Sequence, residues 1–288
     1  MKSTESSSQN LYDLIWGVNR ASAGWSVGRF EKLHDLLGTL DVNGKRVLDV
    51  CCGMGSKAYA ALELGAHVWA YDGSVEGPNL LKHNVENQAA MPEQIKGLKR
   101  FRYKVMPPDV KRLTIIPGRD VATIVDYFGD TKFDIVYMGW ALMHVADPEK
   151  AAKDLQTLAK PGGLIALTYY HQNYRSQLTL DIHEYTYGLP LEEAADITAK
   201  LGKRWGFERV ASLRELLDHA EGNQTLIALK KLIAEKKYTI EEVEEALHIE
   251  DMATPYLRNL HDDVVAGYFA EQCKVLFHRP GLLRTQKL

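Results

Sequence analysis

The chain has 288 residues, of which 45% are hydrophobic and 25% are charged. These fractions are average for a globular protein, and they exclude wholesale disorder, a collagen-like repeat and a disulfide-stapled mini-protein. The net charge of -3 gives no bulk electrostatic attraction to nucleic acid or to a membrane surface. Any anionic partner must therefore be recognised locally.

The cysteines are few and are not spaced for a shared structural role. Cys51, Cys52 and Cys273 form neither a disulfide framework nor a metal-ligand pattern, and this usage favours a reducing compartment. The first residues lack the apolar segment of a secretory signal, and no run approaches the about 18 apolar residues of a membrane span. We therefore expect a cytoplasmic protein with no membrane span and no metal site.

The first half of the chain alternates between strand and helix patterns. A flexible tail is expected over 1–10, and two N-terminal helices that cover the site over 11–44. Between 45 and 170, short apolar runs such as RVLDV, HVWAYD, TIIPGRD, FDIVYMGW and LIALTYY are separated by helical patterns, among them PEKAAKDLQTLAK, which ProGlyGly ends. This alternation predicts an α/β fold with a doubly wound, mainly parallel sheet.

The second half has a different pattern. Residues 171–265 carry helical periodicity without a convincing strand, which predicts a helical cap or insertion that forms the substrate region. A last apolar run, CKVLFHRPG, predicts that residues 266–288 return as a strand at the sheet edge. The helical residues would then be an excursion from one α/β domain.

The most informative segment is VLDVCCGMGSKA, where an apolar strand runs directly into a glycine-containing loop and a helix. Gly53 and Gly55 can adopt positive φ or let a ligand approach the bare backbone at the helix N-terminus. Asp72, which ends the second strand, is placed to accept hydrogen bonds from ribose hydroxyls. The loop and this acid together indicate a cofactor that contains adenosine. Because Ala58 completes a G-x-G-x-x-A pattern, a nicotinamide or flavin dinucleotide stays open at this point.

A carboxylate at the end of the first strand distinguishes the two cofactor classes, since a pyrophosphate gains nothing from an acid there. VLDVCCGMG resembles the motif hhDxGxGxG of class I S-adenosylmethionine-dependent methyltransferases, with Asp49, Gly53 and Gly55 at matching positions. Cys51 stands where the first glycine of that motif usually stands, and its Cβ disfavours positive φ.

The resemblance covers about residues 10–170 and implies further contacts with S-adenosylmethionine. Asp72 matches the acid that binds the ribose, and PGRDV resembles the adenine loop, with Asp120 facing the amino group and Val121 the ring. Gly139, at the end of the fourth strand, is a further cofactor-binding candidate. The opening segment is similar to an entry helix that folds over the cofactor, which implies a role for Tyr12.

The resemblance implies that the protein transfers a methyl group to an oxygen, nitrogen or carbon nucleophile of a small molecule. Such an in-line displacement depends mainly on alignment and on exclusion of water. A hydroxyl, phenol or acidic carbon would benefit from a general base, and His144, after the fourth strand, is the first candidate. His171, after the fifth strand, is the second. Nitrogen acceptors need no strong base.

Aromatic residues are concentrated in segments expected to rim the crevice, which suits an apolar or planar acceptor. One arginine nearby could bind a substrate carboxylate or phosphate. The substrate-binding candidates are Trp16, Trp25, Trp140, Tyr170, Tyr174 and Arg175.

Three other functions stay open at the level of sequence. The basic segment 96–112 would suit an RNA methyltransferase, although a solvated loop is the simpler interpretation and the acidic run EEVEEALHIED argues against a wrapped polyanion. An NAD(P)-dependent oxidoreductase would use the G-x-G-x-x-A match, and a binding module without catalysis would explain Cys51. The sequence also leaves a homo-oligomer open.

Overall fold

The computed structural model describes residues 11–15, 26–89, 104–203 and 207–288. The chain forms two compact units. The larger unit comprises Tyr12–Gln172 and Leu260–Leu288, and the smaller one comprises Leu11 and Asn173–Asn259. The segment Asn173–Asn259 is an insertion, since the chain leaves the larger unit before it and returns to that unit afterwards.

A seven-stranded sheet forms the centre of the larger unit. Its strands are β1 (Arg46–Val50), β2 (His67–Tyr71), β3 (Leu113–Ile116), β4 (Phe133–Gly139), β5 (Ala159–Thr168), β6 (Cys273–Arg279) and β7 (Leu282–Lys287). They lie in the order β3-β2-β1-β4-β5-β7-β6. Strands β1 to β5 pair in parallel, whereas β7 pairs antiparallel with β5 and β6. The predicted doubly wound, mainly parallel sheet is confirmed.

Helices cover the sheet before the insertion begins. They are α1 (residues 11–15), α2 (Arg29–Leu37), α3 (Ser56–Glu63), α4 (Glu76–Glu86), α5 (Ile124–Phe128) and α6 (Pro148–Leu158). Strand β1 is buried along Val47–Val50, because helices packed on both faces of a parallel sheet leave neither face to solvent. The side chain of Val47 joins those of α2 and α3 in one core.

Helix α6 shows how local sequence sets an element boundary. It begins at Pro148, whose missing N–H costs nothing in the first turn, and the side chain of Asp147 accepts a 2.9 Å hydrogen bond from Lys150 N. It ends at Leu158, before the ProGlyGly sequence that was expected to stop it. That sequence lies inside β5, where the partners on β5 jump from Ala159 to Leu164. The glycines therefore form an irregularity in the strand.

The smaller unit has its own apolar core. Its helices are α7 (Gln177–Thr186), α8 (Leu191–Lys200), α9 (Leu213–Asp218), α10 (Gln224–Lys236), α11 (Ile240–Ala246) and α12 (Ile249–Ala253). Ile182, Leu213, Leu229, Leu232 and Val243 are fully buried within it. No strand occurs among the described residues of this unit. The absence of a strand pattern in the sequence is thus matched by the structure.

The chain returns to the sheet through α13 (Asp262–Gly267) and a hairpin of β6 and β7. The run CKVLFHRPG forms β6 at the outer edge of the sheet, where the sequence analysis expected a strand. The sequence analysis did not predict the second strand of the hairpin, β7, which pairs with β5. Gly281 lies in the turn between β6 and β7, with φ of +74°. Leu282 and Leu283 of β7 are buried, whereas Leu276 of β6 is exposed.

Candidate active site

The loop after β1 has a left-handed backbone at three of its residues. Gly53 and Gly55 have φ of 52° and 69°, and Cys51 has φ of 57°. Glycine adopts such angles freely, whereas a residue with a Cβ rarely does. Cys51 therefore keeps the backbone conformation of the glycine that it replaces in the motif, despite the cost that its side chain adds. Helix α3 starts directly after Gly55.

A second helix packs against the backbone of this loop. A Cβ placed on Gly77, in the first turn of α4, would lie 2.8 Å from the carbonyl oxygen of Gly53 and 2.9 Å from its carbonyl carbon. Only glycine allows this approach. Sequence reasoning missed Gly77, since its partner is far away in the chain and an isolated glycine in a helical pattern carries no specific signal.

Asp72 fixes the loop from the end of β2. Its Oδ2 accepts a 2.7 Å hydrogen bond from Gly53 N, and its Oδ1 accepts bonds from the backbone N and the hydroxyl of Ser74 at 2.8 and 2.7 Å. The side chain is buried, and burial raises the pKa of Asp72, although the bonds from Gly53 and Ser74 lower it. The carboxylate is thus held rigidly where a ribose would approach the loop.

Helix α1 is attached to the same edge of the sheet by a residue that the sequence analysis did not single out. Oδ1 of Asp13 accepts hydrogen bonds from Val75 N at 2.7 Å and from Glu76 N at 2.8 Å. The first N–H groups of a helix have no partner within the helix, and the N-cap residue of α4 makes no side-chain bond, so Asp13 caps this helix from α1. Tyr12, the cofactor-binding candidate, is the preceding residue.

Asp120 and Val121 lie beyond β3, on the side of β2 away from β1. Asp120 Oδ1 accepts a 2.7 Å bond from Ala122 N, at the start of a short 3-10 helix over Val121–Thr123. The hydroxyl of Tyr71, at the end of β2, donates a 2.6 Å bond to the Asp120 carbonyl oxygen. The structure therefore brings Asp120 to the end of the strand that Asp72 follows.

Asp49 is buried beneath the loop. Its Oδ2 accepts a 2.8 Å hydrogen bond from the Tyr137 hydroxyl on the neighbouring strand β4. Burial raises the pKa of Asp49 to about 7, against the opposing effects of the Lys57 charge and the Tyr137 hydrogen bond. The carboxyl group therefore changes charge near neutral pH, which a sequence position alone could not reveal.

The adjacent thiols are poor nucleophiles. Burial, together with the carboxylates of Asp72 and Asp49, raises the pKa values of Cys51 and Cys52 well above the usual range. Both cysteines are free, as is Cys273. The raised pKa values are consistent with a packing role for both cysteines.

Three aromatic rings form a group at the adjacent carboxyl ends of β4 and β5. The Trp140 and Tyr170 ring centroids lie 5.9 Å apart, and the His144 ring meets Tyr170 edge to face at 5.5 Å. Trp140 has φ of 61°, and its backbone N donates to the carbonyl oxygen and hydroxyl of Thr168. This strained backbone leaves the indole 46% exposed. Trp140, Tyr170 and His144 are called the aromatic group below.

His171, the second base candidate, lies beside the closing hairpin. It forms an isolated parallel bridge with Leu260, and a Cβ on Gly281 would lie 3.5 Å from its Cδ2 atom. The structure thus separates the environments of the two histidines, since His144 contacts the aromatic group and His171 packs towards the strand that follows Gly281.

The remaining substrate-binding candidates are in different situations. Trp16 and Trp25 lie outside the described residues. In the smaller unit, the Arg175 guanidinium lies 5.5 Å from the Tyr174 ring centroid and pairs with Asp251 at 2.9 Å. Burial raises the pKa of Asp251 to about 7, although Arg175 lowers it. A substrate anion would have to compete with this buried carboxyl group.

The remaining predictions concern the basic segment 96–112, metal binding and membrane spans. Residues 96–103 of the basic segment lie outside the described residues, and Arg112 donates to the Gly65 carbonyl oxygen at 2.9 Å. Within the described ranges, no group of three acidic, histidine or cysteine side chains could hold a metal ion. Of the helices that the structure describes, none combines the length and apolar character needed to cross a bilayer.

The fold and the site together define a class of protein. A doubly wound sheet carries, at the carboxyl ends of β1 and β2, a left-handed glycine loop and the buried acid Asp72, which is the arrangement of α/β proteins that bind adenosine cofactors. The methyltransferase domain family matches residues 26–221. The chain belongs to this family, and membership decides against the NAD(P)-dependent oxidoreductase.

Named relatives share this domain over part of their length. The chain is 29% identical over 199 residues to phosphoethanolamine N-methyltransferase 2 of Caenorhabditis elegans, covering 67% of this chain and 40% of that protein. It is 28% identical over 151 residues to a ubiquinone biosynthesis O-methyltransferase of Coxiella burnetii, covering 52% and 54%. A solved S-adenosylmethionine-dependent methyltransferase from Clostridium acetobutylicum aligns with a TM-score of 0.36, at 18% identity and 59% of each chain. The chain spans about half the length of the curated relatives it matches.

S-adenosylmethionine is the cofactor that this membership implies, and the residues present fit it. Asp72 is buried and rigid next to the bare backbone of Gly53, so it can accept from ribose hydroxyls without reorganisation. The cofactor carries no pyrophosphate, and the buried carboxyl of Asp49 under the loop suits that absence. The sulfonium is cationic, and three carboxyl groups, those of Asp49, Asp72 and Asp120, contribute to the local field.

Proposed function

We propose that the protein transfers the methyl group of S-adenosylmethionine to an oxygen, nitrogen or carbon nucleophile of a small molecule. One observation carries the proposal. Asp72, after β2, lies on one side of the glycine loop that follows β1, and the aromatic group lies on the other side, at the ends of β4 and β5. A cofactor bound at Asp72 would thus present its methyl group towards Trp140 and Tyr170.

The chain's own residues would act mainly by positioning. When bound, the cofactor would supply an electrophilic methyl group on a sulfonium. The acceptor nucleophile would attack the methyl carbon in line with the carbon–sulfur bond. The Asp72 carboxylate and the loop backbone hold the adenosine part, and the aromatic group aligns and shields the acceptor from water. Correct alignment of this kind can supply about 7–11 kcal/mol at the limit.

The acceptor proton needs a destination when the nucleophile is a hydroxyl, a phenol or an acidic carbon. The His144 ring would take that proton while the acceptor displaces the cofactor's neutral thioether from the methyl carbon. His144 is favoured over His171 because its ring contacts Tyr170 in the aromatic group. An amine acceptor would not require this step.

The aromatic group also favours a particular acceptor class. Half-exposed indole next to buried phenol suits a planar or apolar molecule better than a polyanion. The names of two relatives refer to ubiquinone biosynthesis and to phosphoethanolamine. The contact between Trp140 and Tyr170 supports the planar class for this chain.

The proposed setting is the cytoplasm, which is supported by three free cysteines. The net charge of -3 supports a small molecule over nucleic acid as the partner.

Calorimetric titration with S-adenosylhomocysteine and, separately, with oxidised and reduced nicotinamide dinucleotides tests the proposal. We expect S-adenosylhomocysteine alone to bind, and Asp72→Asn to weaken binding at least tenfold. Methyl transfer to a panel of phenols, quinols and amines then tests the acceptor class. His144→Ala should reduce turnover of phenols at least tenfold while leaving cofactor affinity unchanged. Binding of a dinucleotide alone would overturn the proposal.

A further inference from the structure

We propose that Lys57 is a cofactor-binding residue that holds the carboxylate at the amino-acid end of S-adenosylmethionine. The inference deepens the proposed function and rests on it. Lys57 matches no position of the motif that the sequence analysis used, and it is the second residue of α3, directly after the glycine loop.

The side chain of Lys57 extends from α3 to the end of β4. A Cβ placed on Gly139 would lie 2.9 Å from Cε of Lys57 and 3.0 Å from its Nζ atom. The ammonium group therefore lies over Gly139, in space that any other residue at this position would occupy with its own side chain.

Strand order gives the direction in which the cofactor must extend. Asp72 follows β2 and Asp120 follows β3, so a ribose at Asp72 and an adenine near Asp120 place the adenosine part over β2 and β3. The amino-acid part must then extend the other way, across β1 towards β4. Gly139 ends β4, and the Lys57 ammonium lies there.

Charge supports the same assignment. The carboxyl groups of Asp49, Asp72 and Asp120 all act on the thiol of Cys51, so the field around the loop is negative. A ligand carboxylate entering this field needs a cation. Lys57 is close enough to Asp49 to lower its pKa, and within the described ranges its Nζ has no hydrogen-bond partner. The ammonium is therefore available to a ligand.

A purely structural role predicts different behaviour. If Lys57 served only to balance the charge of Asp49, removing both charges together would restore the ligand affinity that is lost when Lys57 alone is changed. If Lys57 binds the ligand carboxylate, the loss of affinity persists in the double variant. It is then confined to ligands that carry the carboxylate. Lys57→Met, Lys57→Arg and the double variant Asp49→Asn with Lys57→Met separate these roles.

Calorimetric titration of the full chain with two ligands makes the test. S-adenosylhomocysteine carries the carboxylate, and 5′-methylthioadenosine has the same adenosine and thioether without the amino-acid part. We expect Lys57→Met to weaken S-adenosylhomocysteine about ten- to hundredfold, the effect of losing one charged hydrogen bond. The affinity for 5′-methylthioadenosine should change by less than about twofold, and Lys57→Arg should retain part of the discrimination.

Lys82→Met is the matched control. It removes the same charge from an exposed position on α4, where Lys82 Nζ lies 3.8 Å from Glu86 Oε1. Equal weakening of both ligands by Lys57→Met, no weakening of either, or full recovery in the double variant would each overturn the assignment of Lys57 alone. Wild-type protein that binds 5′-methylthioadenosine but not S-adenosylhomocysteine would also do so. Binding of neither ligand to wild-type protein would overturn the proposed function as well.

Discussion

The hydroxyl of Tyr137 on β4 donates a 2.8 Å hydrogen bond to Oδ2 of Asp49 on β1. This bond joins the two strands next to the glycine loop that follows β1. Burial raises the pKa of Asp49 to about 7. A carboxyl whose pKa is higher in the folded than in the unfolded state makes the folded state less stable as pH rises from the ordinary Asp value to the raised one. Above that value the penalty is constant, and the Tyr137 bond offsets part of it.

Tyr137→Phe should therefore destabilise the protein in a pH-dependent way. Near pH 9, where Asp49 is ionised, we expect a loss of about 1–3 kcal/mol, because a buried carboxylate loses its donor. Near pH 5, where the carboxyl is protonated, the loss should be smaller. Urea unfolding at both pH values measures this. Tyr127→Phe, which changes an exposed ring, serves as the control, and an equal loss at both pH values would contradict the prediction.

Gly77→Ala should reverse the usual sign of a glycine-to-alanine change in a helix. Its Cβ would meet the Gly53 carbonyl oxygen at 2.8 Å, so overpacking should cost about 1–3 kcal/mol and weaken S-adenosylhomocysteine binding. Gly267→Ala in α13 is the matched control, since its Cβ would meet nothing within 4 Å. It should be neutral or stabilise by up to about 1 kcal/mol. Thermal unfolding and calorimetry of both variants would decide; similar behaviour of the two would sink the idea.

Cys51 holds a glycine-like backbone at φ 57°. Cys51→Gly should therefore retain cofactor affinity within about twofold and keep stability within about 1 kcal/mol, because relief of the left-handed strain offsets the added flexibility of the unfolded chain. Cys51→Val should cost about 1–3 kcal/mol, since a β-branched residue tolerates this angle least. Retained stability in Cys51→Val, measured by urea unfolding, would show that the loop rearranges freely.

Asp13→Ala should affect both stability and cofactor binding. It removes the acceptor for Val75 N and Glu76 N at the start of α4, which should cost about 0.5–2 kcal/mol. Asp13→Asn keeps an acceptor oxygen and should cost less. Asp147→Ala removes the local cap of α6 and should lower stability similarly while leaving S-adenosylhomocysteine affinity intact. Loss of affinity in Asp147→Ala, or none in Asp13→Ala, would argue against a specific role for α1.

The sheet and the cofactor loop were predictable because their signals are local. Alternating apolar runs and helical periods predicted the parallel strands, and Gly53 and Gly55 predicted a tight turn against a ligand. The closing hairpin was predicted incompletely. CKVLFHRPG and LLRTQK are both compatible with a strand, and only packing decided that β7 takes the inner position beside β5 and that β6 lies at the edge.

The amino-acid sequence by itself determined the α/β fold and the glycine loop, since both depend on residues close together in the chain. The tertiary structure decided which distant residues support them. Tyr137 is 88 residues from Asp49, and Asp13 is 62 residues from Val75. Lys57 was proposed as a ligand-binding residue only because the structure shows that its ammonium reaches from α3 to Gly139 at the end of β4. Hydrogen bonds and charge act over a few ångströms in space, and chain order does not record those distances.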